Sequence, residues 1–159
     1  MWVGSLALPI CDVIAAAIRA GMTAYNLTNL ELCYAPPYSS AKDPVNMAGY
    51  MIENVLTRKA KNFHWHDVDA LPRDGSVNLL DVRSSQEAAQ SHMDGFINIP
   101  LDSLRERIGE LERGKPVYTI CHSGMRSYIA ARILSQNGFD VYNLSGGYRL
   151  YNAVTTCRD

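Results

Sequence analysis

From residue 63 onward the chain alternates short apolar runs with stretches of helical periodicity, and few architectures accommodate that rhythm. "SVNLLDV" at 76–82 is a nearly continuous apolar run, as a strand covered on both faces requires. "SSQEAAQSHM" follows, with Ser84 placed as an N-cap. "FINIP" reads as a second strand, "LDSLRERIGELERG" as an amphipathic helix closed by Gly114, and "PVYTI" as a third strand. Then come the loop "CHSGMRS" at 121–127, the helix "MRSYIAARILSQNG", the strand "DVYNL" and a final helix in "SGGYRLYNAVTT". The alternation predicts an α/β domain whose central, mostly parallel sheet is flanked by helices. Ligands on such sheets gather at the carboxyl ends of the strands, and residue 121 stands at one of them.

The first 56 residues have a different texture and predict a short, mainly helical segment. A buried or interface-forming helix is expected at about 11–20, ended by Gly21. Pro36 and Pro37 and the "SSAKDP" run force an irregular loop, after which Asp43 as N-cap and Pro44 at the first helical position open a helix over about 44–57. "TRKAKN" is basic and polar and suits a linker. The expected organisation is therefore 1–56, a linker at 57–61, and a domain over 62–159.

Composition narrows the function classes. The chain has 159 residues, 47% of them hydrophobic and 19% charged, which fits one globular domain with a small appendage. A formal net charge of −1 points to neither a nucleic-acid nor an acidic-surface partner. The apolar start "MWVGSLALPICDVIAAAIRAG" lacks a basic leader, is interrupted by Pro9 and Asp12, and falls short of the roughly 20 apolar residues of a membrane helix. No membrane partner is expected. Four scattered cysteines, Cys11, Cys33, Cys121 and Cys157, make neither a disulfide framework nor a metal motif, and they predict a reducing, cytoplasmic setting.

Of the four, Cys121 has a chemical context. A cysteine just after a buried strand and just before a helix aims its sulfur at the free N–H groups of the helix start, where an anion is favoured. Its pKa is expected below the roughly 8.5 of a free thiol, and the thiolate is the nucleophile. Gly124 lets the loop curl, Arg126 brings a permanent charge able to grip an oxyanion, and Ser123 and Ser127 offer hydroxyl donors. Phosphate transfer is the competing chemistry of such a loop. Cysteine-dependent phosphatases place five residues between cysteine and arginine, whereas here four stand between Cys121 and Arg126, a tighter loop sized for sulfur.

"LLDVR", "GFINIP", "CHSGMRS" and "NLSGGY", in this order and spacing, resemble a single-domain rhodanese, a sulfurtransferase module, over residues 62 to about 153. The resemblance implies that Cys121 carries a sulfane sulfur as a persulfide, cradled by the loop from His122 through Ser123, Gly124, Met125 and Arg126 to Ser127. It implies that Arg126 helps to bind an anionic donor and that Asp81 and Arg83 brace the loop, a role set beside that of a plain structural ion pair. Residues 11 to about 56 are similar to the last part of the dimerisation domain of FAD-dependent coenzyme A-disulfide or persulfide reductases, some of which carry a rhodanese domain at their C-terminus. In those relatives a tyrosine matched by Tyr34 reaches across the dimer. The flavin and nicotinamide domains are absent from this sequence, so FAD and NAD(P)H are expected only in a full-length or partner reductase, and sulfur transfer itself needs no cofactor. Without the rest of that domain, "VIAAAI" and "MAGYMI" are expected to expose apolar surface.

These readings combine into a sulfurtransferase that moves sulfur from thiosulfate or a persulfide through Cys121 to a thiol, with coenzyme A as one acceptor. A flavin reductase or a second copy is the expected protein partner. The alternatives are a non-catalytic dimerisation module and a cysteine-dependent phosphatase. His64 and His66 would share one face of a strand, but with no third ligand nearby they read as ordinary histidines rather than a metal site. His92 reads as a structural hydrogen-bonding residue, His122 as shaping the mouth of the loop, and Cys157 as a resolving thiol only if the tail folds back.

Overall fold

A computed structural model describes residues 3–33 and 42–157, with side chains from residue 10 onward. The chain divides into two compact units, Met1–Lys59 and Ala60–Asp159.

The first unit holds three helices, α1 (Val3–Arg19), α2 (Ala24–Thr28) and α3 (Pro44–Leu56). α1 begins earlier than the sequence reading and runs through Pro9, because apolar residues continue on both sides of the proline. It ends as expected at Gly21, whose φ of 69° lets Met22 N–H donate back to the Ala17 carbonyl at 2.9 Å. α2 was not anticipated. It is only five residues long and is held by a capping box in which Thr23 and Asn26 satisfy each other's backbone N–H groups. α3 opens where expected, with the Asp43 carboxylate accepting from Val45 N–H at 2.8 Å and Pro44 in the first turn. Asn46 ties α3 to α2 by donating to the Leu27 and Leu30 carbonyls at 2.8 and 3.0 Å. A small cluster of Ala17, Leu27 and Val45 forms the centre of the unit.

The second unit is α/β with a five-stranded sheet in the order β1-β5-β4-β2-β3, parallel throughout. Its strands are β1 (Lys61–Phe63), β2 (Asn78–Asp81), β3 (Ile97–Asn98), β4 (Val117–Ile120) and β5 (Val141–Leu144). β1 lies partly in the expected linker. Lys61 pairs with Tyr142 at the sheet edge, so the strand is fixed by its neighbour rather than by its own polar sequence. His64 and His66 are not on a strand. They open a 3-10 helix, Trp65–Ala70, with their rings stacked at 5.6 Å. The helix expected over 101–114 is broken into a 3-10 turn, the four-residue α5 (Leu104–Arg107) and a second 3-10 turn, Ile108–Glu110. Leu104 and Leu111 are buried by this path with Leu101 and Ile108 packed beside them, so the apolar periodicity is satisfied without a continuous helix.

α4 (Ser85–Gln90), α6 (Met125–Gln136) and α7 (Gly147–Thr156) complete the unit. One core cluster joins Leu80, Val117 and Val141 to Ala130 and Leu134 of α6. Another joins Phe63, Leu79 and Ile120 to Tyr148 and Tyr151 of α7. β4 sits between β5 and β2, so its carboxyl end, and Cys121 just beyond it, falls at the middle of the sheet.

Candidate active site

The chain leaves β4 at Ile120 and enters α6 at Met125, and the intervening turn wraps around the Cys121 sulfur. Cys121 is a free thiol with 0% of its surface exposed, whereas Cys11, Cys33 and Cys157 are free and exposed. Gly124, at a φ of 104°, turns its N–H onto Cys121 Sγ at 3.1 Å. The Ser127 hydroxyl lies 3.2 Å from the same sulfur and 3.2 Å from the Gly124 carbonyl. Two donors thus converge on one buried sulfur, an arrangement suited to an anion.

The carbonyl side of the loop is held from behind by α7. Tyr148 N–H donates to the Cys121 carbonyl at 2.8 Å and Arg149 N–H to the His122 carbonyl at 2.9 Å. This contact needs Gly147. A Cβ there would lie 2.7 Å from both carbonyl oxygens and 2.8 Å from Gly124 N, and its φ of 62° is itself costly for any other residue. The glycine pair at the β5–α7 junction belongs to the "NLSGGY" motif, and its part in building the loop is a feature that the sequence reading misses. Two successive glycines between a strand and a helix are the signal that could have shown it.

Asp81 and Arg83 form a nearly inaccessible pair. Arg83 Nε and Nη2 grip the Asp81 carboxylate at 2.9 and 2.7 Å, and both side chains are 2% exposed. The remaining donors of Arg83 go to the Ser91 hydroxyl and carbonyl at 3.0 and 2.6 Å, and Asn98 Nδ2 ties the Asp81 and Arg83 carbonyls together. The guanidinium lies 4.3 Å from the centre of the Tyr148 ring, the residue whose N–H holds Cys121. The pair therefore reaches the loop through Tyr148.

Arg126 is engaged by a carboxylate from another element. Its fork is not open towards the sulfur but closed on Glu87, with Nη1–Oε2 and Nη2–Oε1 both at 2.7 Å. Glu87 also accepts from Ser84 N–H and Oγ–H at 3.0 and 2.9 Å, completing the capping box of α4. The Arg126 fork and the Ser84 donors hold the Glu87 carboxyl well below the usual carboxylate range, and the carboxylate in turn raises Arg126. Glu87 was missed as a site residue. Its Ser-x-x-Glu spacing was visible, but the partner lies 39 positions away.

His122, Ser123 and Met125 are exposed on the loop. His92 is exposed beside an open cleft of about 400 Å³ shared with Arg73, Asp94 and Tyr148, and its ring makes no hydrogen bond among the described residues. Tyr34 lies outside the described residues. Among those residues no group of three His, Cys, Asp or Glu is placed to hold a metal ion, and no helix is long and apolar enough to cross a membrane.

A parallel sheet that delivers a buried cysteine into a short strand-to-helix loop, backed by an Asp–Arg pair, defines the class. Residues 64–153 match the Rhodanese-like domain, and the chain belongs to that sulfurtransferase family. More narrowly, the chain is similar to the rhodanese module of a coenzyme A-disulfide reductase. The reduced CoADR-RHD of Bacillus anthracis is 47% identical with a TM-score of 0.87, over 94% of this chain and 27% of that one. An NAD-dependent persulfide reductase from A. fulgidus is 38% identical with a TM-score of 0.72, over 87% of this chain and 24% of that one. Among curated relatives, a sulfur carrier candidate of Bacillus subtilis, YrkF, is 41% identical over 83 residues, 52% of this chain and 45% of that protein. The thiosulfate sulfurtransferase GlpE of Shewanella oneidensis is 33% identical over 78 residues, 48% of this chain and 77% of that protein. The chain thus spans about a quarter of the two reductases and under half of YrkF.

Proposed function

We propose that the protein transfers sulfane sulfur through a persulfide on Cys121, as the sulfurtransferase part of a coenzyme A-disulfide or persulfide reductase system. The observation that carries this reading is the convergence of Gly124 N–H and Ser127 Oγ–H on the buried Cys121 sulfur. The Cys121 thiolate attacks the outer sulfur of the donor, a new S–S bond forms, and the donor's S–S bond breaks with its electron pair leaving on sulfite or a thiolate. The terminal sulfur then bears the negative charge, held by the same loop donors. A thiol acceptor, coenzyme A among them, takes that sulfur and returns Cys121 to the thiolate. Cys121 is fully buried, so donor and acceptor enter past the exposed His122, Ser123 and Met125.

No cofactor enters these steps. FAD and NAD(P)H belong to a reductase partner or to further parts of a longer chain. The helix starts after β2 and β4 do not fit a dinucleotide, being taken up by Ser84 with Glu87 and by Cys121. In this reading residues 1–56 belong to the reductase's dimerisation domain, Tyr34 is its contact towards a partner subunit, and the setting is the reducing cytoplasm. Cys121→Ser should abolish thiosulfate:cyanide sulfur transfer, while serine at 11, 33 or 157 keeps most of it. Undiminished transfer by Cys121→Ser would refute the proposal.

A further inference from the structure

Arg126 is the loop's own guanidinium, and Glu87 already occupies both of its Nη groups. An oxyanion arriving at the loop therefore meets an arginine whose charge is cancelled and a carboxylate within 2.7 Å of it. Thiosulfate carries two negative charges and must also approach the Cys121 thiolate. A thiol persulfide carries at most one on its two sulfurs and presents its outer sulfur without an oxyanion attached to the reacting pair. We infer that Glu87 is a specificity-determining residue, biasing sulfur loading away from dianionic donors and towards persulfides of thiols. It acts by positioning and neutralising Arg126.

This rests on the sulfur-transfer reading. Cys121 thiolate and thiosulfate give Cys121 persulfide anion and sulfite. Cys121 thiolate and a protonated thiol persulfide give Cys121 persulfide anion and the thiol. At the reacting atoms the first gathers three negative charges and the second one, so an Arg126 freed from Glu87 would favour the first far more than the second. The side chains of Arg126 and Glu87 are 36% and 35% exposed, so solvent moderates the effect without removing it.

Glu87→Gln keeps the length and an acceptor for Ser84 while removing the charge, and Glu87→Ala removes both. The quantity to measure is the ratio of kcat/KM for thiosulfate to that for glutathione persulfide, in the full chain. The ratio should rise at least about fivefold in Glu87→Gln and change little when the same substitution is made in an Arg126→Gln background. A ratio that stays the same or falls in Glu87→Gln overturns the assignment, as does a chain that unfolds with either substitution, which makes Glu87 structural. If the wild-type chain gains no sulfur from either donor, the sulfur-transfer reading itself has failed.

Discussion

The two units solve the burial problem differently. Ala60–Asp159 packs apolar side chains against both sides of its sheet, with Leu80, Val117, Ile120, Leu134 and Leu144 fully buried. Among its described residues, Met1–Lys59 buries the apolar side chains of Ala17, Leu27 and Val45 and leaves Ile18, Met51, Ile52, Val55 and Leu56 exposed. The sheet unit has a two-sided core to hold the donor-lined loop, whereas the described part of the helical unit packs α2 closely on α3 around a small apolar centre. Stability and chemistry should accordingly reside in residues 60–159.

The sharpest way to break that contrast is at the buried pair. Arg83→Met leaves the Asp81 charge buried without its partner and should cost about 3–5 kcal/mol in chemical unfolding. An effect below about 1 kcal/mol would mean that the pair is not what braces the sheet end. Gly147→Ala comes next. The φ penalty alone is roughly 1–2 kcal/mol and three backbone atoms lie under 3 Å from the new Cβ, so the loop must shift and Cys121 loading should fall steeply. In the helical unit, Gly49→Ala puts a Cβ 2.9 Å from Leu27 Cβ and Thr28 N. About 1–3 kcal/mol of overpacking should loosen α2 from α3, seen as faster amide exchange there, with sulfur transfer retained.

The smallest effect tests Glu87 by pH. Its carboxyl is depressed in the folded state, first by the Arg126 fork, so its contribution is fully present above its ordinary value of 4.5 and is lost as pH falls through the lower folded value. The stability difference between wild type and Glu87→Gln, at most about 1 kcal/mol for so exposed a pair, should be flat above that pH and shrink below it. A difference that grows on acidification would contradict the clamp.

Local signals made part of this molecule legible. Asp43–Pro44 opens α3, Gly21 ends α1, and the runs around residues 80, 118 and 142 give the central strands because each carries its own apolar pattern. β1 escaped notice because its three residues, "KNF", are fixed by pairing with β5. The broken α5 region escaped because 3-10 turns satisfy the same apolar spacing as a helix. In the candidate site, the approach of Gly124 and Ser127 to Cys121 was readable because all three lie within seven consecutive residues. The pairing of Arg126 with Glu87 was not readable, because nothing in the neighbourhood of Arg126 reveals Glu87, whose own local role as a cap gave it a sufficient explanation. Contacts between distant segments were what the sequence concealed.

The central claim is that Cys121 carries sulfur, and intact mass tests it most directly. After incubation of the full chain with thiosulfate or glutathione persulfide, the account predicts a gain of one sulfur that cyanide removes and that Cys121→Ser never shows. An unchanged mass with both donors, or a gain that persists in Cys121→Ser, would contradict it.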